Sequence, residues 1–315
     1  MQLCSDLSAG VRMVLLTACA LAAFPVARAF AAPVQGGISV QTPAAVVAGD
    51  PVLVSGAAAA AAASGGGSIR VRLVRDGQTL VRRVAPVGSD GGFQIELRSP
   101  SRGSLSVRAT MLDAAQVVTG TGAAVTSVLP RRVSGRSSPQ AVRALQSALR
   151  RKGFVPGGTS AFDARTARAV LAFRKLERMQ RSSQADVAMM RRLAVGRGGF
   201  QVRFPGHGRH LEADLSRQIL ALIGADGRVE GIYPTSTGAP ATPTIRGSFR
   251  VYRKQAGTNA KGMVDSSYFI RGYAVHGFAS VPTFAASHGC LRVPVPDAAT
   301  ISRWLRVGTR IDTYV

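Results

Sequence analysis

The chain has 315 residues and a formal charge of +24, long enough for two to three compact domains and basic enough to be drawn to polyanions. Aromatic residues are sparse at 6% and no nucleic-acid-binding motif appears, which argues against nucleic acid as the partner. All but four of the 40 basic side chains (Lys152, Lys175, Lys254 and Lys261) are arginine, a bias that genomic base composition can produce without function.

The N-terminus has the layout of a secretory signal. Arg12 supplies positive charge, an apolar run extends from Met13 to Phe24, and Ala27-Arg28-Ala29 places small residues where a signal peptidase cuts. The run is too short to span a bilayer, so residues 1–29 are expected to be removed. A competing lipoprotein box, Leu16-Thr17-Ala18-Cys19, is weaker because much of the apolar run follows Cys19. Membrane attachment is expected only if Cys19 is lipidated, and no later segment looks transmembrane. An exported protein of this charge meets the cell envelope as its nearest polyanion, so the expected location is the cell wall, periplasm or extracellular face. The cysteines are Cys4, Cys19 and Cys290, and cleavage near Ala29 leaves only Cys290. A single thiol outside the cytosol marks an intermolecular bridge or a reactive site; the bland alternative is a buried cysteine acting as a small apolar residue. The neighbouring His and Gly residues favour reactivity.

Residues 36–129 carry period-2 patterns. Ile69, Val71 and Leu73 alternate with Arg70 and Arg72, Asp76-Gly77 predicts a hairpin turn, and Leu80-Val81 begins the return strand. Pro51–Ser55, Phe93–Leu97 and Leu105–Met111 are further strands, and Ala57–Gly67 is a low-complexity loop. The pattern is that of a small all-β sandwich, similar to the immunoglobulin-like modules of bacterial surface proteins, with a spacer role. Pro130–Ser138 is a linker.

The period then becomes helical over 136–200. Ser138 can cap a first helix with Pro139 at its first position, Val142, Leu145 and Leu149 on one face, and Gly153 at its end. Asp163 can cap a second helix carrying Ala167, Val170 and Leu171. Ser183 can cap a third, with Val187, Met190 and Ala194, closed by Gly196. These make a small three-helix bundle. Val142…Leu145-Gln146…Leu149, Gly153-Phe154 and Phe162…Thr166…Ala169-Val170…Phe173 resemble the peptidoglycan-binding helical module found beside cell-wall enzymes. That module's Asp-Gly-x-Phe-Gly turn is replaced here by Ser160-Ala161-Phe162-Asp163. With 14 basic and 3 acidic side chains the unit suits an anchoring face for wall glycan or other anionic wall polymers, or simply a solvated basic surface. His207 and His210 follow at a junction; no further metal ligands lie nearby, and both are expected in an exposed loop.

Residues 209–315 return to strands: Ile219–Ile223, Val229–Tyr233, Ser248–Tyr252, Tyr268–Val275 and Arg310–Val315, with a hairpin turn at Ala225-Asp226-Gly227-Arg228. The chemistry concentrates in Val275-His276-Gly277 and Ser287-His288-Gly289-Cys290-Leu291-Arg292. A thiol needs a base, and imidazole is the natural one near neutrality. His276, 14 residues before Cys290, can reach it from a neighbouring strand. His288 points away from Cys290 if the segment is extended, which leaves it to orient the loop or line the groove. Gly289 permits close approach, and N–H groups around Gly289 and Cys290 can stabilise an oxyanion. Arg292 can hold a substrate carboxylate or form a structural ion pair. Ser287 is a supporting residue, and Gly277 and Tyr268 are further substrate-side candidates.

His276-Gly277 followed by Ser287-His288-Gly289-Cys290-Leu291-Arg292 resembles the L,D-transpeptidase catalytic domain (YkuD-type). Ser236-Thr237-Gly238, Thr242-Pro243 and Gly247-Ser248-Phe249 agree with it; the spacing from Thr242-Pro243 to Gly247 is longer than that family's usual gap. The resemblance implies a mainly-β catalytic domain, with Cys290 attacking the third-residue carbonyl of a donor peptidoglycan tetrapeptide stem and His276 relaying the proton. Terminal D-Ala leaves, and an acceptor stem's side-chain amine resolves the thioester. Water as acceptor would make the protein an L,D-carboxypeptidase. No metal or organic cofactor is implied, and carbapenem-type β-lactams are expected to acylate Cys290. A cysteine peptidase or amidase of the wall would usually run Cys before His, the reverse of the order here. A non-catalytic wall-binding protein would not need His276, Ser287, Gly289 and Cys290 together.

Overall fold

The computed structural model describes residues 37–58, 67–98 and 102–315. The signal segment with Cys4 and Cys19, and residues 59–66 of the low-complexity stretch, lie outside the described residues.

The N-terminal strands are β1 (Ile38–Gln41), β2 (Ala45–Val47), β3 (Pro51–Ala58), β4 (Ser68–Arg75), β5 (Gln78–Pro86), β6 (Gly92–Arg98), β7 (Gly103–Leu112) and β8 (Val118–Leu129). They form a three-stranded sheet, β1-β3-β6, and a five-stranded sheet, β2-β8-β7-β4-β5. Ile69, Val71 and Leu73 point inward, as their alternation predicts, and share one core with Val52, Val54, Ile95 and Val107. Removing each such side chain from water stabilises the sandwich by about 1.5–3 kcal/mol. Asp76 and Gly77 form the predicted turn, with φ of 48° and 79°, the left-handed pair a tight hairpin requires. Ala57 and Ala58 extend β3 instead of opening the loop. Strands β1, β2 and β8 were not legible: two are very short, and β8 is a run of Thr, Gly, Ala and Val without alternation.

Three helices follow: α1 (Pro139–Arg150), α2 (Ala164–Leu176) and α3 (Val187–Ala194). Ser138 caps α1 and Asp163 caps α2, as read; such caps contribute about 1 kcal/mol each. The third cap is Asp186, not Ser183: its carboxylate accepts from the Met189 N–H at 2.9 Å and from Arg174 Nη1 at 3.0 Å. An ionised acceptor held by an arginine outcompetes a free hydroxyl.

The C-terminal region contains β9 (His210–Asp214), β10 (Ile219–Ile223), β11 (Val229–Pro234), β12 (Gly247–Arg250), β13 (Arg253–Thr258), β14 (Val264–Ile270), β15 (Tyr273–Phe278), β16 (Leu291–Pro294), α4 (Val295–Trp304) and β17 (Arg310–Tyr314). Two sheets, β11-β10-β9-β17-β12 and β13-β14-β15-β16, enclose a core with α4. Strand β10 is buried on both faces. Leu220 and Leu222 join that core, while Ile219, Ala221 and Ile223 join the core of the helices. The helices therefore bury their apolar stripes against the catalytic sheet and against Val47 and Leu129 of the sandwich, as well as against one another.

Two further expectations change. The run Tyr268–Val275 is not one strand: Arg271, with φ of 49°, and Gly272 turn the chain between β14 and β15. His207 and His210 are not exposed loop residues. His210 lies on β9, fully buried, with Nε2 3.0 Å from Glu212 Oε1, and His207 Nδ1 lies 3.0 Å from the buried Asp312 Oδ2. Buried carboxylates need donors, and the two imidazoles supply them. Among the described residues no helix is long and apolar enough to cross a membrane.

Candidate active site

Strands β15 and β16 run parallel, pairing Val275 with Leu291 and His276 with Arg292. Side chains two apart on a strand share a face. Val275, Leu291 and Val293 therefore enter the core, while His276, Cys290 and Arg292 line the other face. The connection from Phe278 to Leu291 is about the length a parallel crossover needs. It is pinned by the segment following β11. Thr237 O accepts from the Ala286 and Ser287 N–H groups, both at 2.9 Å, and Ser236 Oγ donates to Phe284 O at 2.7 Å. A Cβ on Gly238 would stand 2.3 Å from Thr242 O, so Ser236-Thr237-Gly238 packs at a position only glycine fits.

His276, Ser287, His288, Cys290 and Arg292 line one cleft of about 640 Å³. Lys261, Met263, Gly272, Tyr273 and Phe278 complete it. His288 faces the same cleft as Cys290 because residues 288–290 bend instead of running extended, with φ of 108° at Gly289. A Cβ on Gly289 would strike the Tyr273 ring at 2.5 Å, so this glycine lets that ring close the cleft wall.

His276 is 3% exposed, and its Nδ1 lies 2.9 Å from Gly277 O. A carbonyl only accepts, so Nδ1 carries the proton and Nε2 keeps the lone pair of a base. Phe278 packs edge-on against His276 and lies 4.2 Å beneath the Arg292 guanidinium. Burial pushes the His276 pKa below 6.5, and the Arg292 charge pushes the same way. Burial raises the Cys290 thiol above its ordinary value, against the lowering pull of the Ala274 N–H, Arg292 and Lys261. The resting pair is a neutral imidazole beside a neutral thiol, which suits proton transfer during attack over a standing ion pair.

Ser287 ties the loop together. Its Oγ donates to Cys290 O at 2.7 Å and accepts from the Gly289 N–H at 3.1 Å. The Gly289 N–H is thereby engaged within the loop. Arg292 Nη1 donates to Ala286 O at 3.3 Å, and among the described residues no carboxylate pairs with it. Gly277 is a packing residue: a Cβ there would meet Ala298 of α4 at 2.7 Å. Tyr268 lies behind the cleft, with its hydroxyl donating to Gln255 Oε1 at 2.9 Å and Arg253 stacked on its ring at 4.1 Å. The tyrosine in the cleft is Tyr273, five residues on, across the turn that the sequence reading missed. Phe278 was findable, since it lies two residues after His276 on the same strand face. Among the described residues no cluster of metal-ligating side chains occurs.

The family model for the L,D-transpeptidase catalytic domain (YkuD) matches residues 208–312. A solved L,D-transpeptidase from Xylanimonas cellulosilytica is 31% identical with a TM-score of 0.53, the match covering 59% of this chain and 98% of that one. Another from Stackebrandtia nassauensis is 16% identical at a TM-score of 0.38, covering 59% and 96%. One from Mycobacterium tuberculosis is 13% identical at a TM-score of 0.32, covering 89% and 98%. No curated protein matches the chain. The catalytic-domain match and the identity to the Xylanimonas enzyme place this chain in the L,D-transpeptidase family.

Proposed function

We propose that the protein is an exported peptidoglycan L,D-transpeptidase that cross-links stem peptides through a thioester on Cys290. The observation that carries this reading is the β15–β16 register, which puts His276 and Cys290 on one face of one cleft. His276 Nε2 takes the Sγ proton as sulfur attacks the third-residue carbonyl of the donor tetrapeptide. The developing oxyanion is met by the Cys290 N–H. Collapse expels D-Ala, whose amine takes the proton back from His276. The acceptor's side-chain amine then loses a proton to His276, attacks the thioester and restores the thiol. Arg292 and Lys261 make the cleft basic, which suits the carboxylates of stem peptides.

In this reading the sandwich, immunoglobulin-like in style, is a spacer. The helical unit contacts the wall through its charged faces. The residues that carry its likeness to a peptidoglycan-binding module are largely structural: Gln146 and Thr166 are fully buried and bonded to each other at 2.9 Å. Glycan contact therefore falls to its arginines.

The test is mass spectrometry of muropeptides after incubation with the purified protein and with Cys290→Ala. Cross-linked dimers from the wild type alone support the reading. Dimers from the variant overturn it, and trimmed tripeptides without dimers make the protein a carboxypeptidase.

A further inference from the structure

The outer face of the five-stranded sheet carries a feature that neither the catalytic chemistry nor the sandwich core uses. Register places Arg82 of β5 directly opposite Arg72 of β4, and Arg72 directly opposite Arg108 of β7. Three arginine side chains thus stand in one row on adjacent strands, which lie about 4.8 Å apart. Arg70, two residues from Arg72, is on the same face, opposite Val84 and Thr110. Like charges directly opposite one another destabilise a sheet. None of these four arginines is in an ion pair among the described residues. The other outward positions opposite them are Val84 on β5, Thr110 on β7 and Ala123 on β8, with no carboxylate. Arg72 Nε is buried without a hydrogen-bond acceptor. A folded chain that keeps such a row with no internal counter-charge has its counter-charge elsewhere.

We infer that this sheet face is a docking surface for a linear polyanion of the cell envelope, a phosphodiester-linked polymer whose repeating phosphates the arginine row pairs with. Arginine presents a planar fork of donors that matches phosphate oxygens bidentately. A row of point charges on a flat sheet suits an extended chain that crosses the strands. A membrane surface is a poorer fit. Val84 and Val125, 54% and 63% exposed, are the large apolar side chains nearest the row, and no aromatic residue on this face can enter the headgroup layer. Single-stranded nucleic acid is also a poorer fit, since the face has no ring for bases to stack on. The choice of an envelope polymer rests on the export reading proposed above; the arginine row does not.

The test is binding of the purified protein to poly(glycerol phosphate) across a salt series, read by pelleting or anisotropy and so independent of turnover. Arg70→Gln, Arg72→Gln, Arg82→Gln and Arg108→Gln together should weaken binding at least about tenfold. The slope of log K against log salt should fall by about 3, as expected when about four cation–phosphate contacts disappear. A control with Arg132→Gln, Arg246→Gln, Arg303→Gln and Arg306→Gln, all exposed and outside the helical unit, loses the same charge elsewhere and should bind as the wild type does. Equal weakening in both variants, or no polymer binding by the wild type, overturns the inference. Tighter binding to phosphatidylglycerol vesicles or to a single-stranded oligonucleotide through the same four arginines overturns it too. Unchanged melting and unchanged stem-peptide turnover in the fourfold variant show that its loss is not misfolding. Failure of the transpeptidase reading would appear only in turnover.

Discussion

Among the described residues the N-terminal sandwich buries only two polar side chains, Thr110 and Thr126, whereas the catalytic domain buries His210, Glu212, Asp214, His276, Ser287 and Asp297 among many others. Both are built from two stacked sheets. The sandwich keeps its polar groups on the wet face of each strand, so period-2 alternation describes it well. The catalytic domain has its first sheet covered on both sides, and its polar groups are inside. Each must find a named partner, because an unpaired buried polar group costs about 1–3 kcal/mol. Chemistry needs desolvated groups held in place, and only the second design supplies them.

The largest expected effect is on the thiol. Cys290→Ala should abolish the mass shift caused by a carbapenem and all cross-linking, with the melting temperature unchanged within about 2 °C. His276→Ala should lower the acylation rate by about 10²–10⁴, the usual contribution of a positioned base. Burial lowers the His276 pKa from the ordinary imidazole value, so the acid limb of the wild-type rate profile should lie at lower pH than a free imidazole would set. The same shift has a stability consequence. The unfolded imidazole takes up a proton first as pH falls, so this residue's contribution is present above 6.5 and lost below it. Urea midpoints of His276→Gln should therefore fall less than those of the wild type between neutrality and mild acid.

Next comes the joint between helices and catalytic domain. Arg168 holds the buried Asp297 of α4 bidentately, at 2.8 and 3.1 Å. Asp297→Ala should destabilise the protein by about 3 kcal/mol by leaving that guanidinium without its partner, seen as a lower denaturant midpoint. Ser287→Ala removes the bridge between the Gly289 N–H and Cys290 O; it should cost about 1–3 kcal/mol and slow acylation without blocking it, checked by carbapenem adduct kinetics. The smallest effect belongs to the open sheet face of the sandwich, where Arg82→Gln should stay within about 0.5 kcal/mol by thermal melting. A larger loss there would erase the contrast between the two regions.

Legibility in the sequence follows the same division. Ile69, Val71 and Leu73 announced their strand because one face is wet, and Ser138 and Asp163 announced their helices because caps are local. His276 and Cys290 were legible because a thiol and an imidazole beside glycines are few and chemically specific. His210 was not legible, since a lone histidine carries no mark of the buried Glu212 that awaits it. Tyr273 lines the cleft and Tyr268 does not, because a tight turn at Arg271-Gly272 folds β15 back on β14; that turn puts a non-glycine residue at a φ of 49°, which its sequence does not announce.

By itself the sequence determined the family, singled out His276 and Cys290 as the candidate pair and ordered the strand-rich, helical and second strand-rich stretches, because those rest on residue identity and short-range periodicity. Only the tertiary structure decided that β15 and β16 pair in parallel with His276 and Cys290 on one face. It alone showed that the Gly289 N–H is taken by Ser287 and that the helices share their core with β10. Strand register and core sharing depend on contacts across long sequence separations, and no local pattern encodes which distant partner will satisfy a buried group.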